Sequence, residues 1–288
     1  MRDYTGEASA LKTKKTGKFR LRIRPFSPTL VQMAEIVLDS VGLRFGPYSA
    51  LNNLSFKAPR GQFVALVGPT GCGKSSVLNL VAGLLKPSAG AVRVAGADLT
   101  SVNRDAAYMF QQDALLPWKT VHENAMLGPI LRGQPKPKAS EEAQMWLERV
   151  GLRGFERRYP SQLSGGQRKR VAMAQALINR LPILLMDEPF SALDVQTRVL
   201  MENKLLDLWQ DLQATVLFVT HDLEEAIAMA DRVLLFTAGP NASIKGDFPV
   251  PLPRPRNVAE ARFIPGFAEI YERLWRDLKE EVMAAYAG

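Results

Sequence analysis

Only one cysteine, Cys72, occurs in the 288 residues, so no intrachain disulfide can form and a reducing compartment is expected. No run of about 18 or more apolar residues is present, and nothing reads as a bilayer-spanning helix. The charged first residues lack the apolar core of a secretory signal, so none is expected. Histidine is scarce, with His122 and His221 alone, and without a Cys/His cluster a structural zinc site is not expected. Acidic residues are in deficit: 29 Asp and Glu stand against 37 Lys and Arg. Much of the excess lies in residues 1–34, where Arg2, Lys12, Lys14, Lys15, Lys18, Arg20, Arg22 and Arg24 face only Asp3 and Glu7. That arm reads as a solvated, poorly ordered tail; contact with anionic lipid or nucleic acid is the alternative. The rest of the chain is nearly balanced in charge, which does not suggest a nucleic-acid-binding body.

What is present is an ordinary globular composition, 47% hydrophobic and 23% charged. From about residue 35 the pattern becomes strand-like, over 36–41, 51–57, 63–67 and 91–94. Residues 63–67 and 183–186 are wholly apolar, as in strands buried on both faces. Helical spacing follows over 74–85, 141–150 and 167–179, and a further cycle reads helix 196–212, strand 215–219, helix 222–230 and strand 233–236. This alternation implies an α/β fold with a mostly parallel sheet. Residues 113–170 look like a helical insertion, with Pro117, Pro129, Pro135 and Pro137 marking loops and short helices. After Val250 comes a Pro-rich linker, then an amphipathic helix with Phe267, Ile270, Leu274, Leu278 and Val282 on one stripe. Packing of that stripe on its own domain is expected, with a partner surface as the alternative.

Residues 68–75, Gly-Pro-Thr-Gly-Cys-Gly-Lys-Ser, match G-x-x-x-x-G-K followed by Ser or Thr, between a strand and a helix. The glycines let backbone N–H groups converge on phosphate oxygens, and the helix that follows adds its positive end. Lys74 is expected to reach the β- and γ-phosphates and Ser75 to ligate Mg²⁺. Asp187 and Glu188 close an apolar strand, where a parallel sheet gathers its ligands. Asp187 can hold the metal and Glu188 can orient or deprotonate the attacking water. Leu163-Ser164-Gly165-Gly166-Gln167 opens a helix and makes a second anion cradle. One nucleotide does not need two cradles, so this one is expected to serve a nucleotide held by another subunit. Cys72 reads as a small filler, although its place at a helix N-terminus suggests a lowered thiol pKa. On that reading a maleimide inactivates the enzyme and Mg-ATP protects it.

Together, residues 68–76, Gln111, Leu-Ser-Gly-Gly-Gln at 163–167, Leu-Leu-Met-Asp-Glu-Pro at 184–189, Ser-Ala-Leu-Asp at 191–194 and His221 resemble the ATP-binding cassette (ABC) ATPases over roughly residues 35–250. The resemblance implies a P-loop NTPase (RecA-like) core with an antiparallel β subdomain and a helical subdomain, taking ATP and Mg²⁺. It implies nucleotide contacts from Gly68, Pro69, Thr70, Gly71, Cys72, Gly73, Lys74, Ser75 and Ser76, and from Ser164, Gly165, Gly166 and Gln167. By the same resemblance Gln111 touches Mg²⁺ or the lytic water and couples the site to the membrane partner. Asp194 lies in the loop that crosses the dimer, His221 contacts the γ-phosphate, and Phe45 stacks on adenine, with Tyr48 as the alternative. Taken alone, Gln111 reads as a surface residue and His221 as a structural histidine, while Phe45 reads equally as core or as a stacking ring.

Leu-Leu-Pro-Trp-x-Thr-Val-x-Glu-Asn at 115–124 and Leu-Pro-Arg-Pro-Arg at 252–256 look like the nitrate/sulfonate/taurine importer subgroup. That implies multi-span permease subunits, an indirect extracytoplasmic solute-binding protein, and a homodimer or a pair with a similar ATPase, at the cytoplasmic face of the membrane. Leu115, Leu116 and Trp118 are expected either in the core of the insertion or beside the permease groove. Ser76 and Lys169 depart from the usual pattern, the latter where many relatives carry glutamine. A small-molecule kinase or GTPase is disfavoured by residues 163–167 and by the lack of an Asn-Lys-x-Asp guanine-reading motif. An exporter, or a cassette ATPase acting on nucleic acid, is the remaining alternative.

Overall fold

Three short apolar runs set the architecture. Strands β3 (Phe63–Val67), β7 (Ile183–Asp187) and β8 (Thr215–Val219) are buried at every position, as parallel strands covered on both faces must be. The computed structural model describes residues 35–287; the basic arm expected over 1–34 lies outside the described residues. With β6 (Ala106–Met109), β9 (Arg232–Phe236) and β10 (Ile244–Pro249), the three runs form a six-stranded sheet of order β10-β9-β3-β8-β7-β6. Its pairs are parallel except β9 with β10. A separate antiparallel sheet, β2-β1-β4-β5, is made from β1 (Ile36–Phe45), β2 (Tyr48–Ala58), β4 (Ala89–Val94) and β5 (Ala97–Asp98).

The period-2 alternation of β3 divides the core. Phe63, Ala65 and Val67 join a core shared with the helical insertion, whereas Val64 and Leu66 pack with Ile36, Leu38 and helix α1 (Lys74–Val81) under the antiparallel sheet. The insertion between β6 and β7 holds α2 (Val121–Ala125), α3 (Leu127–Leu131), α4 (Lys136–Arg149) and α5 (Gly165–Leu177). Trp146, 1% exposed, fills its centre. Buried Asn124 accepts from the Leu116 N–H (2.8 Å) and donates to the Leu116 and Lys119 carbonyls, which fixes the Pro-marked loop ahead of α2. Leu115 packs against the core and Trp118 stands 71% exposed.

The remaining helices are α6 (Val195–Leu212), α7 (Leu223–Met229) and α8 (Phe267–Ala287). Phe267, Leu274 and Leu278 of α8 are buried against the domain's own core, with Ile270 and Val282 packed beside them. Lys245 of β10 anchors the helix through Glu280 (2.7 Å) and Glu281 (2.8 Å).

The Pro-rich stretch expected as a linker is instead fixed to the domain. Arg256, 6% exposed, donates to the carbonyls of Ile227 (3.1 Å), Ala230 (2.6 Å), Val250 (3.1 Å) and Leu252 (2.9 Å). Arg254 pairs with Asp231 at 2.7 Å, donates to the Met229 carbonyl (2.6 Å) and lies 4.3 Å over the Trp209 ring. Two arginines thus satisfy the last carbonyls of α7, which have no partner within the helix.

Candidate active site

The carboxyl ends of β3, β7, β8 and β6 carry the loops expected to do chemistry. After β3 the chain turns through residues 68–73 into α1. Gly73, the N-cap, has φ +93°, and a Cβ there would lie 2.8 Å from buried Leu51 Cδ2, so only glycine fits. Lys74 is buried, and its Nζ donates to the carbonyls of Gly68 and Pro69, both at 2.8 Å. Gly71 has open space where a Cβ would project. Cys72 is a buried filler, as one reading of the sequence expects, and not an activated thiol. Its side chain is fully buried, and burial pushes the thiol pKa up despite the neighbouring Lys74 charge. The helix end that would activate the thiol is outweighed by desolvation, so the expected maleimide sensitivity is withdrawn.

At the end of β7, Asp187 is 4% exposed and bonded to the Ser75 side chain, yet its Oδ1 is buried with no hydrogen-bond partner. Burial pushes its carboxyl pKa up, and the Glu188 charge adds to this while Ser75, Lys169 and Lys74 oppose it. A desolvated carboxylate with a free oxygen beside a serine hydroxyl fits a hard divalent cation that takes its other ligands from phosphate and water. Among the described residues no group of three His, Cys, Asp or Glu could hold a metal on its own.

Glu188 adopts φ +48°, a left-handed conformation costing about 1–3 kcal/mol in a non-glycine residue. Its N–H donates to the Val219 carbonyl (3.0 Å), and its own carbonyl accepts from Ser191 Oγ (3.0 Å). This turn brings the carboxylate against His221 Nε2, from the end of β8. Gln111 is exposed two residues past β6, whose Met109 pairs with Met186, so it stands beside the strand end that carries Asp187. Phe45 and Tyr48 pair across the β1–β2 turn, and both rings are about half exposed. A Cβ on Gly239 would meet Tyr48 Oη at 3.5 Å and the Gly71 carbonyl at 3.4 Å, which places the tyrosine hydroxyl near the phosphate loop.

The second cradle is separate. Ser164 caps α5: its Oγ accepts from the Gln167 N–H (3.2 Å), and Gln167 Oε1 accepts from the Ser164 N–H (2.9 Å). A Cβ on Gly166 would lie 3.2 Å from the Ala192 carbonyl, so the cradle is pressed against the loop ending at Asp194. Asp194 caps α6 by accepting from the Thr197 N–H at 2.9 Å, which holds its carboxyl below the usual range. Among the described residues no hydrogen bond joins residues 164–167 to the phosphate loop. The structure therefore gathers Lys74, Ser75, Asp187, Glu188 and His221 and leaves Ser164, Gly165, Gly166 and Gln167 apart. Two contributors escaped the sequence reading: Tyr48 Oη near the loop, noted only as a stacking alternative, and Lys169, noted only as a departure from pattern.

A phosphate loop at the end of a parallel strand, with a metal-ready Asp and a His-paired Glu on the next strands, defines a nucleotide-triphosphate hydrolase. The sequence model described as "ABC transporter" matches residues 51–191. The chain is 45% identical over 243 residues to the aliphatic sulfonates import ATP-binding protein SsuB of Yersinia pestis, spanning 84% of this chain and 86% of that one. An ABC transporter ATP-binding protein of Methanocaldococcus jannaschii is 42% identical over 234 residues, or 81% and 86% of the two chains. A solved dimeric ATP-binding cassette in a post-hydrolysis state with ADP and Pi superposes with a TM-score of 0.68 at 30% identity, over 75% of this chain and 98% of that one. The chain belongs to the ABC transporter ATP-binding family and is an ATPase.

Proposed function

We propose that this ATPase powers the import of an aliphatic sulfonate or a similar small anion such as nitrate or taurine, as one of two identical subunits at the cytoplasmic face of a membrane. The observation that carries the reading is the split site. Lys74, Ser75, Asp187, Glu188 and His221 are assembled within the chain, while among the described residues no hydrogen bond joins the 164–167 cradle to the phosphate loop, its capping bonds closing on themselves. Two copies arranged head to tail place each cradle over the other's γ-phosphate, and the solved cassette relative is dimeric. The anion class is supported by relatives 45–46% identical that are named aliphatic sulfonates import proteins.

In this arrangement Lys74 binds the β- and γ-phosphates, and Ser75, Asp187 and Gln111 would hold Mg²⁺, which would supply neutralisation of the phosphate charge. Glu188, held in its left-handed turn, orients and deprotonates the attacking water, and His221 fixes that carboxylate and reaches the γ-phosphate. Asp194 presents its loop to the partner copy. Phe45 or Tyr48 stacks on the base, which reads no base edge, so GTP is tolerated in part.

The permease partner is supported by a groove of about 840 Å³ on the helical insertion, walled by Tyr108, Phe110, Leu127, Leu131 and Asn179. Asn179 lines the groove with its Nδ2 donating to the Gln175 carbonyl at 2.8 Å and its Oδ1 packed beneath Gly128. Trp118 is not part of this wall. No helix among the described residues is long and apolar enough to cross a membrane, so transport needs separate spanning subunits. The test is uptake of ³⁵S-labelled ethanesulfonate by cells lacking the gene, with taurine and nitrate uptake in parallel. Loss of sulfonate uptake, restored by wild type and not by Glu188→Gln, is expected; undiminished uptake of all three solutes refutes the reading.

A further inference from the structure

Lys169 lies on the second turn of α5, five residues past Ser164, and is 4% exposed. Its ammonium donates to the Phe110 carbonyl (3.2 Å) and to the Gln111 carbonyl, and stands 3.7 Å from Asp113 Oδ1, which has no hydrogen-bond partner of its own. The preceding residue repeats the attachment: Arg168 Nε donates to Asp113 Oδ2 at 3.1 Å, and Arg168 Nη1 to the Leu163 carbonyl at 2.9 Å. The first turns of the cradle helix therefore grip residues 110–113 with two cations, through the Phe110 and Gln111 carbonyls and the Asp113 carboxylate. A buried ammonium costs several kcal/mol to desolvate, and such pairs are often no more stabilising than an apolar side chain of equal volume. Stability alone does not explain this lysine.

The two ends it joins have different duties. Residues 164–167 meet the nucleotide held by the partner copy, whereas Gln111 serves the nucleotide held by its own chain. We propose that Lys169 is a positioning residue that carries the seating of the 164–167 cradle on the partner's nucleotide to this chain's own Gln111, so that the two sites of the dimer act together. The inference rests on the head-to-tail dimer proposed above. Lys169 adds a rigid link across about two turns of helix, and coupling of this kind needs only that both ends shift one shared element.

The test uses the full chain carrying Lys169→Met, with Lys169→Arg as the variant that retains the charge. The readouts are hydrolysis against ATP concentration and hydrogen exchange at residues 110–113. Lys169→Met should lower kcat roughly tenfold and bring the Hill coefficient from about 2 toward 1, with half-saturating ATP changed less than about twofold. Exchange at 110–113 should rise, and Lys169→Arg should recover most of both losses. If the Met variant does not fold, Lys169→Gln removes the charge and carries the same readings. A folded neutral variant with wild-type rate, Hill coefficient and exchange overturns the proposal, as do equal losses in the Met and Arg variants, which would assign the effect to packing. Mg-ATP-driven dimerisation of Glu188→Gln separates the two levels. No dimer refutes the head-to-tail reading, whereas a dimer with an unaffected Lys169→Met refutes only the link.

Discussion

At the N-terminus of α1 the helix is entered through a left-handed glycine, and Lys74, Ser75 and Asp187 converge inside the fold. At the N-terminus of α5 the cap is an exposed serine whose hydrogen bonds close on its own Gln167. Both ends present backbone N–H groups and a positive dipole. At the first, buried Lys74 and desolvated Asp187 stand beside the loop itself; at the second, the buried cation, Lys169, is bonded to residues 110–113 instead. On the proposed head-to-tail dimer, the first holds a nucleotide unaided and the second gains its ligand only from the partner copy.

Glu188→Gln attacks the first end with the largest effect. Loss of the base at the strained turn should lower kcat by about 10²–10⁴-fold, with ATP still bound and a dimer accumulating by size exclusion. Gly166→Val attacks the second. Its side chain must push against the Ala192 carbonyl and Leu193, so hydrolysis should fall by roughly 10²-fold, as on loss of one oriented donor. Nucleotide affinity of the monomer, measured by titration, should stay unchanged. A parallel loss of that affinity would end the distinction between the two ends.

A smaller effect sharpens the comparison from behind the site. Glu225 of α7 is buried and bonded to Thr220 and to Glu202 of α6, beside Asp222 and Arg198, and desolvation pushes its carboxyl well above the ordinary range. The folded chain keeps a proton there that the unfolded chain has released, so stability declines as pH rises above the ordinary carboxyl range, about 4. Glu225→Gln should therefore raise Tm by on the order of a few degrees at pH 8, with the gain fading as pH approaches about 4. A gain independent of pH would show that no proton is held. Smallest of all, Cys72 should remain unlabelled by maleimide with or without Mg-ATP until the protein unfolds, read by mass spectrometry; rapid labelling of the native chain would return it to the reactive class.

The strands that build the first end were legible because burial on both faces leaves an unbroken apolar run, as at residues 63–67, 183–186 and 215–219. β6 and β10 were not. β6 is four residues long and only half buried, and edge strand β10 carries Lys245, Gly246 and Asp247. Phosphate loop, Asp187, Glu188 and the second cradle could be read as strings because their chemistry needs fixed local spacing. Arg254 and Arg256 could not, since their targets on α7 are set by tertiary placement. For Cys72 the filler reading holds and the activated-thiol reading fails for a related reason: a helix end is visible in sequence, but the depth at which the fold buries it is not.

Between residues Gly68, Pro69, Thr70 and His221 on one side and Leu278, Val282, Ala285 and Tyr286 of α8 on the other lies a recess of about 400 Å³. One wall is the generic phosphate machinery. The other falls outside residues 51–191, the stretch matched by the family's sequence model. A small molecule wedged there would touch the phosphate loop and the C-terminal helix at once. An inhibitor built on that pairing would reach this ATPase and spare phosphate-loop proteins that carry no such helix beside the loop.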